Sequence, residues 1–157
     1  MRKAALQESA IRRAGMSRIL ALDPGSRRIG LAVSDPTGIL AQPLDAVERS
    51  RGRDWAGAIL ILIEELEVTE IVVGLPLHMD GSEGESAANA RQMAETLRSR
   101  AKVPVTLWDE RLTTVAAEKM FRESGVKTRQ ARRHIDSVAA VLILQGYLDR
   151  RAKEDQK

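Results

Sequence analysis

The sequence predicts one α/β domain in which helices cover a mixed five-stranded β-sheet. The 157-residue chain is 43% apolar, which suits one domain with a buried core and is too short for two ordinary domains. Three short apolar runs come first, separated by turn signals, and helical and strand-like patterns alternate after them. Antiparallel strands followed by such alternation predict a sheet that is extended through right-handed crossovers.

The first three strands are predicted to form two consecutive hairpins. Apolar runs at 18–23 and 29–34 flank a turn that contains Pro24 and Gly25, and "SDPTG" precedes the third run, "GILAQPL". Proline and glycine suit a tight turn, because proline fixes one backbone angle and glycine permits a positive one. The same turn also carries Asp23 and two arginines, which reversal of the chain does not require.

Helical and strand patterns alternate in the middle of the chain. Apolar residues recur at helical spacing from Trp55 to Leu66, and the β-branched run "TEIVVGLP" follows. A second helical pattern covers 90–97, and "VPVTLW" predicts a fifth strand that ends at Asp109. The element order up to this point is βββαβαβ.

Two further helices are predicted after the fifth strand. Thr113 or Thr114 can cap the first of them, which ends near Gly125, and apolar residues at helical spacing over 135–143 indicate the second. The complete order, with its three antiparallel strands first, is that of the ribonuclease H-like topology.

The predicted domain spans residues 18–150. Residues 1–17 are basic and lack the continuous apolar segment of a secretion signal, so they are interpreted as a flexible extension or as sequence upstream of a start at Met16. Residues 151–157 form a charged tail in this interpretation.

Composition excludes several classes of function. The chain has no cysteine, which excludes disulfides, thiolate zinc sites and cysteine nucleophiles and favours a reducing cytoplasm. No run reaches the roughly 18 apolar residues of a membrane span, so no membrane partner is expected. The formal charge of +3 and the pI of about 9.6 mildly favour polyanionic partners.

Three acidic residues are candidates for one site. Asp23 ends the first strand, Glu110 follows the fifth, and Asp136 lies near the start of the last helix. The ribonuclease H-like arrangement places the first strand centrally, so these carboxylates can meet at one edge of the sheet. Carboxylates without cysteines favour Mg²⁺ or Mn²⁺, and two such ions can activate water and stabilise a leaving oxygen.

Each of these acids also has a purely structural alternative. Asp23 can serve as a turn former, Glu110 can pair with Arg111, and Asp136 can favour the dipole of its helix.

Basic residues are expected to hold a nucleic-acid backbone near these acids. Cations beside a carboxylate site offset its repulsion of phosphates, whereas a solvated charged face is the alternative. Aromatic residues make up only 3% of the chain, which favours recognition of backbone and shape over base stacking. Because residues 125–132 have few apolar groups, we expect them to be mobile alone and ordered on nucleic acid. The candidate contacts are Arg27, Arg28, Lys127, Arg129, Arg132 and Arg133.

Two glycine-rich segments are weaker candidates for phosphate binding. The spacing of Gly25–Gly30 matches a P-loop, but Leu31 and Ala32 stand where that loop needs lysine and a hydroxyl residue, so a P-loop is rejected. The segment "GSEGES" either cradles a phosphate at a helix N-terminus or is a plain loop with Ser86 as the helix cap.

Four stretches in order resemble the YqgF/RuvX family of Holliday junction resolvases and pre-16S rRNA nucleases: "LALDPGSRRIGLAVSD", "VVGLPLHMDGSEG", "DERLTT" and "HIDSVAAVLILQGYLD". The resemblance runs from about residue 18 to 149. It implies that Asp23, Glu110 and Asp136 bind divalent metal and cleave a phosphodiester, with Asp109 as a further neighbour. One departure is His78, at a place that the family often fills with asparagine, and it concerns substrate contacts.

The resemblance implies processing of the 5′ end of 16S rRNA, and action on branched DNA in some members. Three functions therefore stay open: an endonuclease on precursor rRNA, a Holliday junction resolvase, which is expected to act as a symmetric homodimer, and a non-catalytic RNA-binding ribosome-assembly factor. An actin-like ATPase is disfavoured, because that architecture needs two such domains.

Overall fold

The computed structural model describes residues 17–113 and 135–156, which form a mixed five-stranded sheet with helices on both faces. The strand order is β3-β2-β1-β4-β5; the first three strands are antiparallel, and β4 lies parallel to β1 and β5. The predicted fold class is confirmed. The elements are β1 (Arg18–Pro24), β2 (Arg28–Ser34), β3 (Ala41–Glu48), α1 (Trp55–Glu65), β4 (Val68–Leu75), α2 (Glu85–Arg100), β5 (Val105–Asp109) and α3 (Val138–Asp155), with 3-10 turns at Glu110–Leu112 and Ile135–Ser137.

The central strand β1 is buried on both faces. Residues 19–22 are at most 1% exposed, as expected of a continuous apolar run inside a sheet that helices cover on both sides. Leu20 and Leu22 pack into the core formed with α1 and α2, whereas Ile19 and Ala21 pack into the core under α3. Because side chains alternate along a strand, Asp23 lies on the α3 face, at the carboxyl end of β1.

The third strand begins later than predicted. The pattern "GILAQPL" placed it over residues 38–44, but β3 runs from Ala41 to Glu48. The Asp35 carboxylate accepts hydrogen bonds from the backbone N–H groups of Ile39 (2.8 Å) and Leu40 (2.9 Å), which holds both residues in the turn. Both apolar side chains therefore remain exposed, at 63% and 47%.

The segment between β4 and α2 also differs from expectation. The N-cap of α2 is Gly84, with no side-chain hydrogen bond at the cap, so the interpretation of Ser86 as the cap is wrong. The loop is closed instead by its backbone, because the His78 N–H donates to the Ser82 carbonyl at 2.9 Å. The His78 side chain is exposed.

Several sequence predictions fall outside the described residues. These are most of the N-terminal extension, the helix expected to end near Gly125, and the proposed ordering of residues 125–132. The last helix is confirmed, and it continues to Asp155, so it includes most of the charged segment 151–157. Within residues 17–113 and 135–156, no helix is long and apolar enough to cross a membrane.

Candidate active site

The site begins at the carboxyl end of β1, where Asp23 is half-buried beside two glycines. Asp23 pairs with Gly30 across the β1–β2 ladder, and Gly74 follows Val73, the β4 partner of Leu22. A Cβ atom on Gly74 would lie 2.6 Å from Oε1 of Glu110, and one on Gly30 would lie 2.2 Å from the backbone oxygen of Asp136. Because these two glycines have no side chains, Glu110 and Asp136 can approach the sheet closely.

Glu110 reaches Asp23 because β5 ends one residue earlier. The Asp109 side chain accepts from the Arg111 N–H at 2.9 Å, which starts the 3-10 turn and carries Glu110 over the edge of the sheet. There the carboxyl groups of Glu110 and Asp23 are hydrogen-bonded to each other. The structure therefore brings these two predicted acids into contact.

Burial and the neighbouring negative charge perturb both carboxyl groups. Burial, followed by the charge of Asp23 and the hydrogen bond to it, raises the pKa of Glu110 to about 7. Burial also raises the pKa of Asp23, while the hydrogen bond from Glu110 opposes that change. These directions describe a protonated Glu110 that donates to an ionised Asp23. A proton or a cation between the two groups relieves the repulsion that two ionised carboxylates would have here.

Asp136 lies in the 3-10 turn that precedes α3, and its neighbour Ser137 anchors that turn. The buried Ser137 hydroxyl donates to the Leu44 carbonyl at 2.6 Å and accepts from the Leu31 N–H at 3.1 Å. Asp136 Oδ2 is 2.9 Å from Nη1 of Arg28. Asp136 and Asp23 line one cleft of about 480 Å³, together with Gly25, Ser26, Arg27, Arg28 and Ala139.

The structure thus joins Asp23 to Glu110 directly and places Asp136 across the same cleft, paired with Arg28. In the part of the chain that the structure describes, no three acidic or histidine side chains are grouped closely enough to hold a metal ion as they stand. The available donors are carboxylate oxygens, and a pair that must share a proton or a cation suits a hard divalent ion. The donor set fits Mg²⁺ or Mn²⁺ in its chemistry.

Asp109, the further acid implied by the resemblance, is engaged by Arg111. Its Oδ2 lies 2.8 Å from Nη2 of Arg111, and this guanidinium holds the pKa of Asp109 below its usual value. Arg111 therefore pairs with Asp109 and not with Glu110, as the structural alternative for Glu110 had assumed. Arg111 also donates to the backbone oxygen of Met79 at 3.4 Å, which ties the loop after β4 to this side of the site.

Two of the six predicted basic residues lie in the part of the chain that the structure describes. Arg27 and Arg28 are exposed on the β1–β2 turn and line the cleft. The other predicted contacts lie outside the described residues: Lys127, Arg129, Arg132 and Arg133.

Two residues that support the site were missed by the sequence analysis. Ser137 carries no periodic or motif signal that distinguishes it from a surface serine. Arg49 Nη1 donates to the Gly25 carbonyl at 2.8 Å and to Asn89 Oδ1 at 3.0 Å, so it braces the turn that follows Asp23. The basic run "RSRGR" at 49–53 was the available signal for Arg49.

Solved structures show the same fold. The T. thermophilus RuvC in complex with a Holliday junction substrate matches with a TM-score of 0.58 at 16% identity, covering 87% of this chain and 96% of RuvC. The fowlpox virus Holliday junction resolvase matches with a TM-score of 0.54 at 11% identity, covering 85% of this chain and 99% of that protein. The fold is ribonuclease H-like.

Sequence comparisons give much higher identity. A protein of Koribacter versatilis is 48% identical over 134 residues, which are 85% of this chain and 88% of that protein. One of Lachnospira eligens is 44% identical over 139 residues, 87% of this chain and 99% of that protein. Both carry the name "Putative pre-16S rRNA nuclease". The family model RuvX, described as Holliday junction resolvase, matches residues 17–150. The chain belongs to the RuvX family.

Proposed function

We propose that this protein is a divalent-metal-dependent endonuclease that hydrolyses phosphodiester bonds in structured nucleic acid and acts in the cytoplasm on the 5′ end of pre-16S rRNA. The observation that carries the proposal is the contact between Asp23 and Glu110, with Asp136 across the same cleft. The substrate is supported by the names of the two relatives, which share almost half of their aligned residues with this chain.

The metal would be held by Asp23, Glu110 and Asp136. A Mg²⁺ or Mn²⁺ ion there would supply activation of a water and stabilisation of the leaving oxygen. For all three carboxylates to act as ligands, Glu110 has to release the proton that it shares with Asp23, and Asp136 has to leave Arg28. Both changes are local side-chain events at an otherwise anchored strand end and helix start.

The chain's own cations would position the substrate. Arg27 and Arg28 line the cleft beside the acids, and both side chains are exposed to an incoming backbone. When Asp136 turns away, the Arg28 guanidinium is free to hold a phosphate in a bidentate manner. The same arginine therefore neutralises Asp136 before binding and a phosphate afterwards. We propose the same backbone role for the basic residues 127, 129, 132 and 133.

A second candidate function is Holliday junction resolution. It is favoured by the description of the matching family model and by the fold shared with two resolvases. This function needs two copies of the site, because both strands of a junction are cut, and it therefore requires a homodimer.

A cleavage assay on both substrates distinguishes these functions. Purified protein is incubated with an end-labelled pre-16S rRNA fragment or a four-way DNA junction, with Mg²⁺, Mn²⁺ or EDTA, and its mass is recorded by light scattering. The proposal expects metal-dependent cuts in the RNA at defined positions. Cleavage of the junction alone by a dimer would favour the resolvase, and RNA binding without cleavage in either metal would favour a non-catalytic assembly factor.

A further inference from the structure

We propose that Arg51 and Arg53, in the segment between β3 and α1, form an additional phosphate-binding surface that carries the RNA backbone away from the cleft along the β3 side of the sheet. The inference rests on the proposed function and extends it to residues that neither the motifs nor the acidic site include. It names the partner chemically, as the phosphodiester backbone of a structured RNA.

The position of this surface is set by Arg49. The Arg49 N–H donates to the Arg27 carbonyl at 2.8 Å, and its guanidinium donates to the Gly25 carbonyl at 2.8 Å. The guanidinium also lies over the Trp55 ring, 5.7 Å from the centroid. Residues 49–53 are thereby tied to the turn that lines the cleft. A backbone that passes Arg27 next meets this segment.

The charge of the surface is positive and available. Residues 49–53 hold three arginines and no acid. Arg49 is used internally, but Arg51 is exposed, and none of the residues at 17–113 or 135–156 forms an ion pair with its guanidinium. Arg53 is 67% exposed and reaches Glu48 only at 3.6 Å, a surface pair that contributes little.

The acid that follows the segment does not cancel this charge. Asp54 caps α1 by accepting from the Gly57 N–H at 3.0 Å. Its two oxygens also bind the Arg100 guanidinium, at 2.8 and 3.0 Å. Asp54 is thus already neutralised by a residue of α2, and Arg51 and Arg53 keep their charges for a partner.

Phosphate-binding arginines outside the acidic cleft can supply affinity that the cleft itself cannot. Phosphates that approach Asp23, Glu110 and Asp136 are repelled, whereas phosphates bound at arginines beside the cleft release counterions and contribute affinity. Each phosphate contact of this kind adds about 0.7 to 0.9 to the slope of log affinity against log salt concentration. Loss of two contacts is therefore visible as a smaller slope as well as weaker binding.

The test compares R51A/R53A with K102A/K153A, both in an Asp23→Asn background that prevents cleavage of the probe. Lys102 precedes β5 at the opposite edge of the sheet, and Lys153 is in the last turn of α3, so the control removes equal charge away from the cleft. Binding of the pre-16S rRNA fragment is measured from about 50 to 200 mM KCl. We expect R51A/R53A to weaken binding about tenfold and to lower the salt slope by about 1.4 to 1.8 relative to the control.

If Asp23→Asn binds RNA, and R51A/R53A in that background binds with the same affinity and salt slope, the inference is overturned and the proposed function stays intact. Wild-type protein that neither binds nor cuts RNA would remove the proposed function and this inference with it. A DNA junction measured in the same series checks the partner, since a loss confined to DNA would overturn the assignment to RNA. Thermal melts show whether each variant is folded. If the double variant is unstable, R51A alone is measured instead, and half of the slope change is then expected.

Discussion

The carboxyl groups of Asp23 and Glu110 share a hydrogen bond, although 86 residues lie between these two positions in the sequence. The strand order brings them near each other, because only β4 lies between β1 and β5, and Gly74, the next-to-last residue of β4, has no side chain to block the path. In the absence of metal, burial and mutual repulsion favour a proton held by this pair. This relationship is the basis of the first prediction.

Glu110→Gln is expected to stabilise the metal-free protein, and more so at high pH. Burial and the neighbouring charge of Asp23 raise the pKa of Glu110 to about 7 in the folded protein, above its ordinary value of 4.5. The native state therefore binds more protons than the unfolded state between these values, and the free energy of unfolding falls as pH rises through this window. Glutamine at position 110 cannot ionise, so the free energy of unfolding no longer falls in this pH window. After allowance for solvent screening we expect a gain of about 1 to 2 kcal/mol near pH 8, or roughly 3 to 6 °C in Tm, and much less near pH 5.

Denaturation in EDTA at the two pH values measures this gain. Glu64→Gln is the matched control, because Glu64 is exposed on α1 and away from the site. Equal behaviour of the two variants at both pH values would contradict the shared proton.

Gly74→Ala is expected to reduce cleavage by at least tenfold. The new Cβ would lie 2.6 Å from Glu110 Oε1 and 2.6 Å from Ile143 Cδ1, so the carboxyl group has to move. Overpacking of this kind costs about 1 to 3 kcal/mol. Gly146→Ala in α3 is the control, since its Cβ would meet nothing closer than 3.7 Å and alanine favours the helix. Full activity in Gly74→Ala would mean that Glu110 does not need its observed position.

Ser137→Ala is expected to destabilise the fold by about 1 to 3 kcal/mol, because it leaves the buried Leu31 N–H and Leu44 carbonyl without their partner. The turn that carries Asp136 then loses its anchor, and activity should fall with stability. Chemical denaturation and cleavage rates below the transition report the two effects. Ser99→Ala, which removes one exposed bond to the Thr96 carbonyl, should stay within about 0.5 kcal/mol of the parent. A similarly small effect at Ser137 would argue against the anchor.

Arg28→Gln is expected to weaken RNA binding while it changes the stability of the fold only slightly. Its ion pair with Asp136 joins side chains that are 57% and 44% exposed, so the loss of stability should be below about 1 kcal/mol. RNA binding should nevertheless weaken, with a salt slope lower by about 0.7 to 0.9. Filter binding over a salt series, with Lys102→Ala as the control, tests this. An unchanged slope would show that Arg28 serves only Asp136.

The sequence predicted the sheet because each strand of it has a local signal. Turn residues mark the ends of β1 and β2, and a β-branched run marks β4. The start of β3 was missed, because the turn there is stabilised by the Asp35 side chain, while Ile39 and Leu40 resemble strand residues in composition alone. The site was only partly predictable for a similar reason. The three acids lie at or next to the ends of recognisable elements, but the pairing of Asp136 with Arg28 and the anchoring by Ser137 depend on contacts between segments about 100 residues apart.

Metal-dependent cleavage through Asp23 is tested most directly on a pre-16S rRNA fragment, cut by the parent protein and by Asp23→Asn, with Mn²⁺ binding measured by calorimetry on the same samples. Asp155→Asn, at the far end of α3, controls for the loss of a carboxylate. We expect Asp23→Asn to stay folded, to lose Mn²⁺ binding and to cut at least a hundredfold more slowly, whereas Asp155→Asn should match the parent. Full cleavage by Asp23→Asn would contradict the assignment of Asp23 and Glu110 as the metal-binding pair.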